Sequence, residues 1–534
     1  MNLLLFVTAF ALADPGGHYD HGTGEKLGKV NFQTSCSPVA QAAFQRAVAL
    51  LHSFEYIPAE TAFNEAAAAD PSCAIAHWGA AMSLYHPLWA PPSAKELERG
   101  REAVAKALAA PAKTERERDY VAAVAAFYRD SDKLDHKTRA MAYNAAMAGL
   151  YKRYPTDREA AVFYALSQAA AGTLDDDPTF AREKDAAAIL DKVLKEEPEH
   201  PGVAHYLIHS FDYPPLADLA VPAAKRYASI APDSPHAQHM PSHIFTRLGM
   251  WEDSIASNLR SEAAAQALMK RQGFDGASRE ELHAMDYLTY AYLQTGQDRL
   301  AEGVRTHLYA LQKVDEPIFS VAYAATAIPA RLLLERRRWK EAANLELPAN
   351  IGRLVPLENF QWGNAHILLA RAIGAARSGD VAAARTEIAG LSEIEQAMKV
   401  PPGTYDWKTQ VSIERQIAQA WLARALRHDD EAAQLLRAAA DLDDATEKHP
   451  VTPGALLPAR EQLGELLLEI GRPAEALTEY EASLKRAPLR LMGVQGAMRA
   501  ATLTGDKAKT RTYSDVLATL TKKADDRSML VARR

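Results

Sequence analysis

Four histidines stand in two pairs of equal spacing: His205 and His209 in AHYLIHSF, His239 and His243 in HAQHMPSHIF. Side chains four apart project from one face of an α-helix, so each pair presents two imidazoles together. The second pair follows the first by 34 residues. If 34 residues make one helical hairpin, the two pairs stand on neighbouring helices at the same height. Packed helices lie roughly 8–10 Å apart, and a Zn–N bond is about 2.0–2.1 Å. Imidazoles reaching inward from two such helices therefore meet at one ion. Neutral imidazole suits Zn, Cu, Ni and Fe, and no cysteine lies nearby to make a thiolate site. The expectation is a transition-metal site, copper or zinc, with His205, His209, His239 and His243 as its core. Four histidines would close the shell, whereas three plus water would leave it reactive.

The elements that must carry these residues are helices. Ala-rich segments with Leu, Glu, Lys and Arg favour helix, and no sustained alternation marks a strand. The segment AETAFNEAAAADP places Ala59, Phe63, Ala66 and Pro71 in a small, aromatic, small, proline order, with Ala47 where the two helices of the hairpin cross. The pattern returns as Ala186, Leu190, Val193, Pro198 and as Ala220, Ala224, Tyr227, Pro232, and Ser254 extends the 34-residue step. Later hairpins turn near Gly296, Trp339, Gly379 and Gly471, the last with Gly464, Ala476, Tyr480, Ser483 and Pro488 in place.

These positions match the tetratricopeptide signature. The chain resembles the tetratricopeptide repeat proteins along most of its length. It is most similar to large single-chain bacterial members with HWGAAMSLYHPLW, HMPSHIFTRLGMWEDSI and HPVTPGALLPAREQLGELLLE motifs. The resemblance implies an all-α, tetratricopeptide-type α-solenoid in which the first helix of each hairpin lines a concave ligand-binding groove. It implies no settled activity.

Counting back from the small residues sets the register. Fifteen before Ala220, Ser254 and Ala301 stand His205, His239 and Asp286; eleven before stand His209, His243 and Tyr290. Eighteen before Ser254 and Ala301 stand His236 and His283. Asp286 is expected to support a ligand or add an oxygen, with His236 and His283 as additional ligands or supports, and Tyr290 as a packing or groove aromatic. Weaker groove candidates are His52, His77 and His86, whose plainer reading is core or helix-end histidine beside aromatics. Glu461 and Glu465 occupy the heights of His239 and His243 in a later hairpin, as groove carboxylates or solvated helix residues. Trp78, Trp89 and Trp362 read as packing or groove aromatics, and Arg336, Arg337 and Arg338 as a basic run favoured at a helix end.

Composition narrows the rest. Hydrophobic residues make up 48% and the net charge is only −7, which argues against a polyanion-binding surface, and no basic stripe points to nucleic acid. A phosphate loop, a G-x-S-x-G elbow, H-E-x-x-H and CxxC are all missing. Residues 1–13, MNLLLFVTAFALA, read as a secretory signal without a basic start, so the chain is expected to be periplasmic or secreted, or cytoplasmic if that segment is no signal. Cys36 and Cys73 flank one hairpin; in an exported chain they would staple the first repeat to the second, and in a cytosol they would be buried thiols. Domain boundaries follow: 14–37 a flexible arm, 38–525 the solenoid, 526–534 a tail. Proline-bearing inserts near 86–93 and 447–459 are expected to fold over the concave face. Nothing reads as a membrane span.

Three functions remain open. One is a metal-holding solenoid whose groove binds a peptide or small molecule. The second is a metalloenzyme using the same ion on water or oxygen, with one ion or two. The third is a metal-free interaction scaffold.

Overall fold

A computed structural model describes residues 24–88, 90–175 and 177–526. The signal-like segment, His18, His21, Trp89 and residues 527–534 lie outside them. Among the described residues there is no strand, only an isolated bridge between Ala277 and Val314. Helices run from Pro38–His52 to Lys507–Leu520.

Local chemistry starts and stops them. Ser37 accepts from the Ala40 amide with proline following it, and Ser93 forms a capping box with Glu96, each satisfying amides that have no partner inside the helix. Gly379 and Gly505 end their helices in the left-handed conformation that glycine adopts without strain. Hairpins close through small residues: a Cβ at Gly79 would sit 2.2 Å from the Phe63 ring, so only glycine lets that aromatic through.

Each hairpin buries its apolar stripe on its neighbours. The core nevertheless divides into two large clusters and one small one: the first spans Leu27 to Phe245 and takes in Val451, the second runs from Trp251 to Ala501, and Leu491, Val494 and Leu517 form the third. Each half curls back on itself. In the first, the end of the opening hairpin meets later ones through Tyr227 Oη to Ser53 Oγ (3.1 Å) and Ser234 Oγ to Glu55 (2.9 Å). In the second, Arg490 donates to Glu335, Glu461 and the Tyr290 hydroxyl, Leu491 N to Gln294, and Trp251 Nε1 to Leu489 O.

Two expectations change. Residues 24–37 are no loose arm: Leu27, Val30 and Phe32 are buried, with Phe32 wedged among Phe44, Trp78 and Tyr120. Three apolar side chains in a segment otherwise rich in Gly and polar residues are enough to hold it on the core. The second histidine pair does not lie on one regular helix either. Pro241 lacks an amide, so Pro235–His239 and Pro241–Arg247 are separate helices joined at Met240, whose backbone stays α-helical. That continuity keeps His239 and His243 on one face.

The two cysteines are bonded, tying residues 37 apart across the first hairpin. The insert at 447–459 lies between the halves: Glu447 pairs with Arg247, Lys448 with Asp212, and the Gly454 carbonyl accepts from Tyr323 and Arg331.

Candidate metal centre

His205 and His209 stand on Pro201–Phe211, His236 and His239 on Pro235–His239, His243 on Pro241–Arg247 and His283 on Arg279–Gln294. Proline at the first turn starts three of these helices, and Ser234 and Ser278 cap two. The six rings gather as two triads, His205, His209, His236 and His239, His243, His283, with one nitrogen of each within 4.8 Å of the others in its triad. Expectation had put four histidines round one ion. His236 turns to the first pair, and His239 and His243 turn to His283.

Within the first triad His205 Nε2 lies 3.1 Å from His209 Nε2 and 3.2 Å from His236 Nε2. In the second, His239 Nε2 lies 3.0 Å from His243 Nε2, and the His239 and His283 ring centres are 4.0 Å apart. The opposite nitrogens are held by acceptors. His205 Nδ1 donates to the His52 carbonyl (2.6 Å), His239 Nδ1 to Asn258 Oδ1 (2.6 Å), His243 Nδ1 to Asp212 (3.0 Å) and His236 Nδ1 to Glu280 (3.3 Å). Asn258 Nδ2 donates to Ser254 O, which turns its oxygen toward His239.

These bonds fix the tautomers. With hydrogen on Nδ1, the Nε2 atoms of His239 and His243 each carry a lone pair, and lone pairs 3.0 Å apart repel. Protonation would relieve them, but burial, with the neighbouring imidazoles, drives His205, His209, His239 and His283 well below the usual range; burial takes His243 down to about 4. A cation or a hydrogen-bond donor between the rings would satisfy such lone pairs. Asp212, which burial alone would raise, is held well below the carboxylate range by Lys448, Arg247 and His243. Carboxylates behind ligating imidazoles orient the rings and raise their basicity.

Asp286, expected beside the metal, instead binds Arg331 at 2.5 Å in full burial. Its register height is right, but a buried guanidinium claims it. Tyr290 meets Arg490 through its hydroxyl at 2.6 Å. Glu461 and Glu465 pair with Arg490 and with Arg337 and Arg377, so neither is a free groove carboxylate. Arg336 and Arg338 pair with Asp298 and Glu302. His52 joins Glu159 (2.9 Å), which also takes His200 (3.0 Å). Burial would raise the Glu159 carboxyl, but those two rings hold it well below its range. His77 is half-buried outside any cluster. His86 packs on Tyr56 with centres 4.5 Å apart, 3.8 Å from Glu96.

Sequence reading missed Asp212, Glu280 and Asn258, and the aromatics Phe54 and Tyr287. Two of these had a signal: Asp212 follows His209 and Glu280 precedes His283 by three, the helical spacing of neighbours.

Next to the centre, across Lys448 and His449, lies a cavity of about 40 Å³ walled by Tyr323, His366, Trp407, His449 and Glu414. Burial pushes the Glu414 carboxyl up from 4.5 to about 8. The folded chain therefore holds a proton there that the unfolded chain releases near pH 4.5. That stabilisation is complete below 4.5 and is lost as pH rises through about 8. Glu414→Gln should keep the shape without the proton. Its urea midpoint is expected to gain on that of the natural chain as pH rises from 4.5 to about 8 and to keep that gain above 8; parallel profiles for the two would show that Glu414 does not titrate there.

The fold and this site define the class: an all-α solenoid of helical hairpins with histidine-lined interior helices. No protein-family model matches the chain, and no curated protein does. Among solved structures the chain is similar to human IFIT1 in a dimer with m7Gppp-AAAA, at 11% identity over 84% of this chain and 90% of that one, TM-score 0.38. It is similar to yeast Tom70 at 16% identity over 91% and 98%, TM-score 0.33, and to the P58(IPK) TPR domain at 10% over 88% and 99%, TM-score 0.21. No helix among the described residues is long and apolar enough to cross a membrane.

Proposed function

We propose that this protein is a metal-binding solenoid in which each histidine triad holds a transition-metal ion. One observation carries the reading. The Nε2 atoms of His239 and His243 face one another at 3.0 Å while their Nδ1 atoms are committed to Asn258 and Asp212. Buried polar atoms are ordinarily paired, and a cation pairs these. All-nitrogen shells suit copper or zinc. The reading extends to a small ligand, supported by the insert at 447–459, which pairs with Asp212 and Arg247 beside the histidines. The Cys36–Cys73 bond supports an exported protein, since disulfides persist in oxidising compartments.

Elemental analysis of purified protein tests the reading. Stoichiometric copper or zinc is expected, with about half of it lost in His239→Ala/His243→Ala and the rest in a further His205→Ala/His209→Ala. Protein free of metal, or a fourfold variant that keeps it all, would leave the interaction scaffold as the better account.

A further inference from the structure

We infer that the two triads act as a single dinuclear copper centre whose ligand is dioxygen, taken up between the ions. This rests on the metal-binding reading above and goes further, to oxidation state, pairing and substrate.

Charge argues for copper in its cuprous state. Imidazole supplies all six nitrogens of the triads, so the ligands bring no negative charge. The cost of burying an ion rises steeply with its charge. One carboxylate stands behind each triad, Glu280 on His236 and Asp212 on His243. Both are shared with cations, Glu280 with Arg279 and Asp212 with Arg247 and Lys448. Little negative charge remains to offset four positive charges, whereas two singly charged ions suit the setting, and cuprous copper accepts three imidazoles as a complete shell.

Pairing follows from the rings. His209 and His243 lie 6.2 Å apart between centres, and so do His236 and His239, one ring of each pair from either triad. Two such crossings place the ion positions side by side, not at opposite ends of the helix stack. Metal pairs at roughly 3.5–4 Å act together on one bound group.

Size points to dioxygen. Phe54 closes the first triad, with ring centres 4.3, 5.4 and 5.7 Å from His205, His209 and His236. Tyr287 closes the second, at 4.7, 5.1 and 5.4 Å from His239, His243 and His283. Five of the six histidines are at most 3% exposed. Walls this close leave a large organic substrate no access to the ring nitrogens, so the ligand we assign is a diatomic one. In the step itself each cuprous ion gives one electron to dioxygen. The O–O bond falls from double to single order, and the resulting peroxide dianion bridges two cupric ions. No proton moves, and the summed charge of the centre stays at two, so the buried surroundings need no new counter-charge. Releasing oxygen returns both electrons.

The experiment loads the full chain with cuprous chloride under argon and then admits air. Two coppers per chain are expected, with no cupric signal in electron paramagnetic resonance because the bridged spins cancel. A new near-ultraviolet absorption should disappear on flushing with argon. His283→Gln and His236→Gln, each checked for native helicity by circular dichroism, should retain one copper and give a visible cupric signal in air. Two coppers that show two independent cupric signals, two that ignore oxygen, or zinc that copper does not displace would overturn the inference and leave the metal-binding reading intact. Protein that takes up no metal would overturn both. The wild-type measurement decides the matter even if neither variant folds.

Discussion

Removing the metal by chelation is expected to lower the unfolding free energy by about 3–4 kcal/mol for each ion, the linkage free energy at 100 to 1,000 times the dissociation constant. The second triad makes the effect larger than a surface site would. His239 and His243 belong to the segment that ends the first core, and His283 sits on a helix of the second, so an ion there ties one half of the array to the other. The sign of a substitution should depend on the metal. In the metal-bound protein His239→Leu loses a ligand and is less stable than the natural chain. In the chelated protein it removes one of two lone pairs facing each other at 3.0 Å and is as stable or more so. Thermal unfolding of both proteins, with and without chelator, reads this crossing. A His239→Leu protein that is less stable by the same amount in both conditions would mean the histidines act as ordinary core residues.

The second large effect is expected at Arg490. Its guanidinium is fully buried and carries Glu461 at 2.7 Å, Glu335 at 3.1 Å and the Tyr290 hydroxyl at 2.6 Å. Taking one partner from a buried ion pair strands the other charge and costs about 3–5 kcal/mol. Arg490→Met should cost at least that, since it strands two carboxylates, and the loss should appear in the second half, which this residue closes. Arg490→Met combined with Glu335→Gln and Glu461→Gln should recover a good part of it, because the uncompensated charges are then gone. Urea unfolding of the three proteins measures both steps. If the triple variant is no more stable than Arg490→Met alone, the cost lies in lost packing and not in stranded charge.

The two predictions bear on different kinds of contact. The histidine contacts join adjacent hairpins; Arg490 reaches Tyr290 across 200 residues. That difference also separates what could be read from the chain and what could not. Helical hairpins, their small-residue crossings and the equal heights of His205 and His239 are properties of a local repeat. A 34-residue step fixes the relation between neighbours however the array curls. The gathering of histidines from successive helices was legible for that reason.

Curling is another matter. It depends on the sum of small rotations over many hairpins and on where proline interrupts them. Pro241 splits one helix in two, yet His236 joins one triad while His239 and His243 join the other. Register put Asp286 at the right height, but a buried Arg331 from the next hairpin took its carboxylate. Asp212 and Glu280 became the supports because folding brought them behind His243 and His236. His52, one repeat among many by sequence, gives its carbonyl to His205 across 153 residues. The sequence by itself determined an all-α solenoid and the set of imidazoles that one interior face would present. Only the tertiary structure decided their division into two triads and the acceptor behind each anchored ring, because those depend on closure between segments that no local period relates.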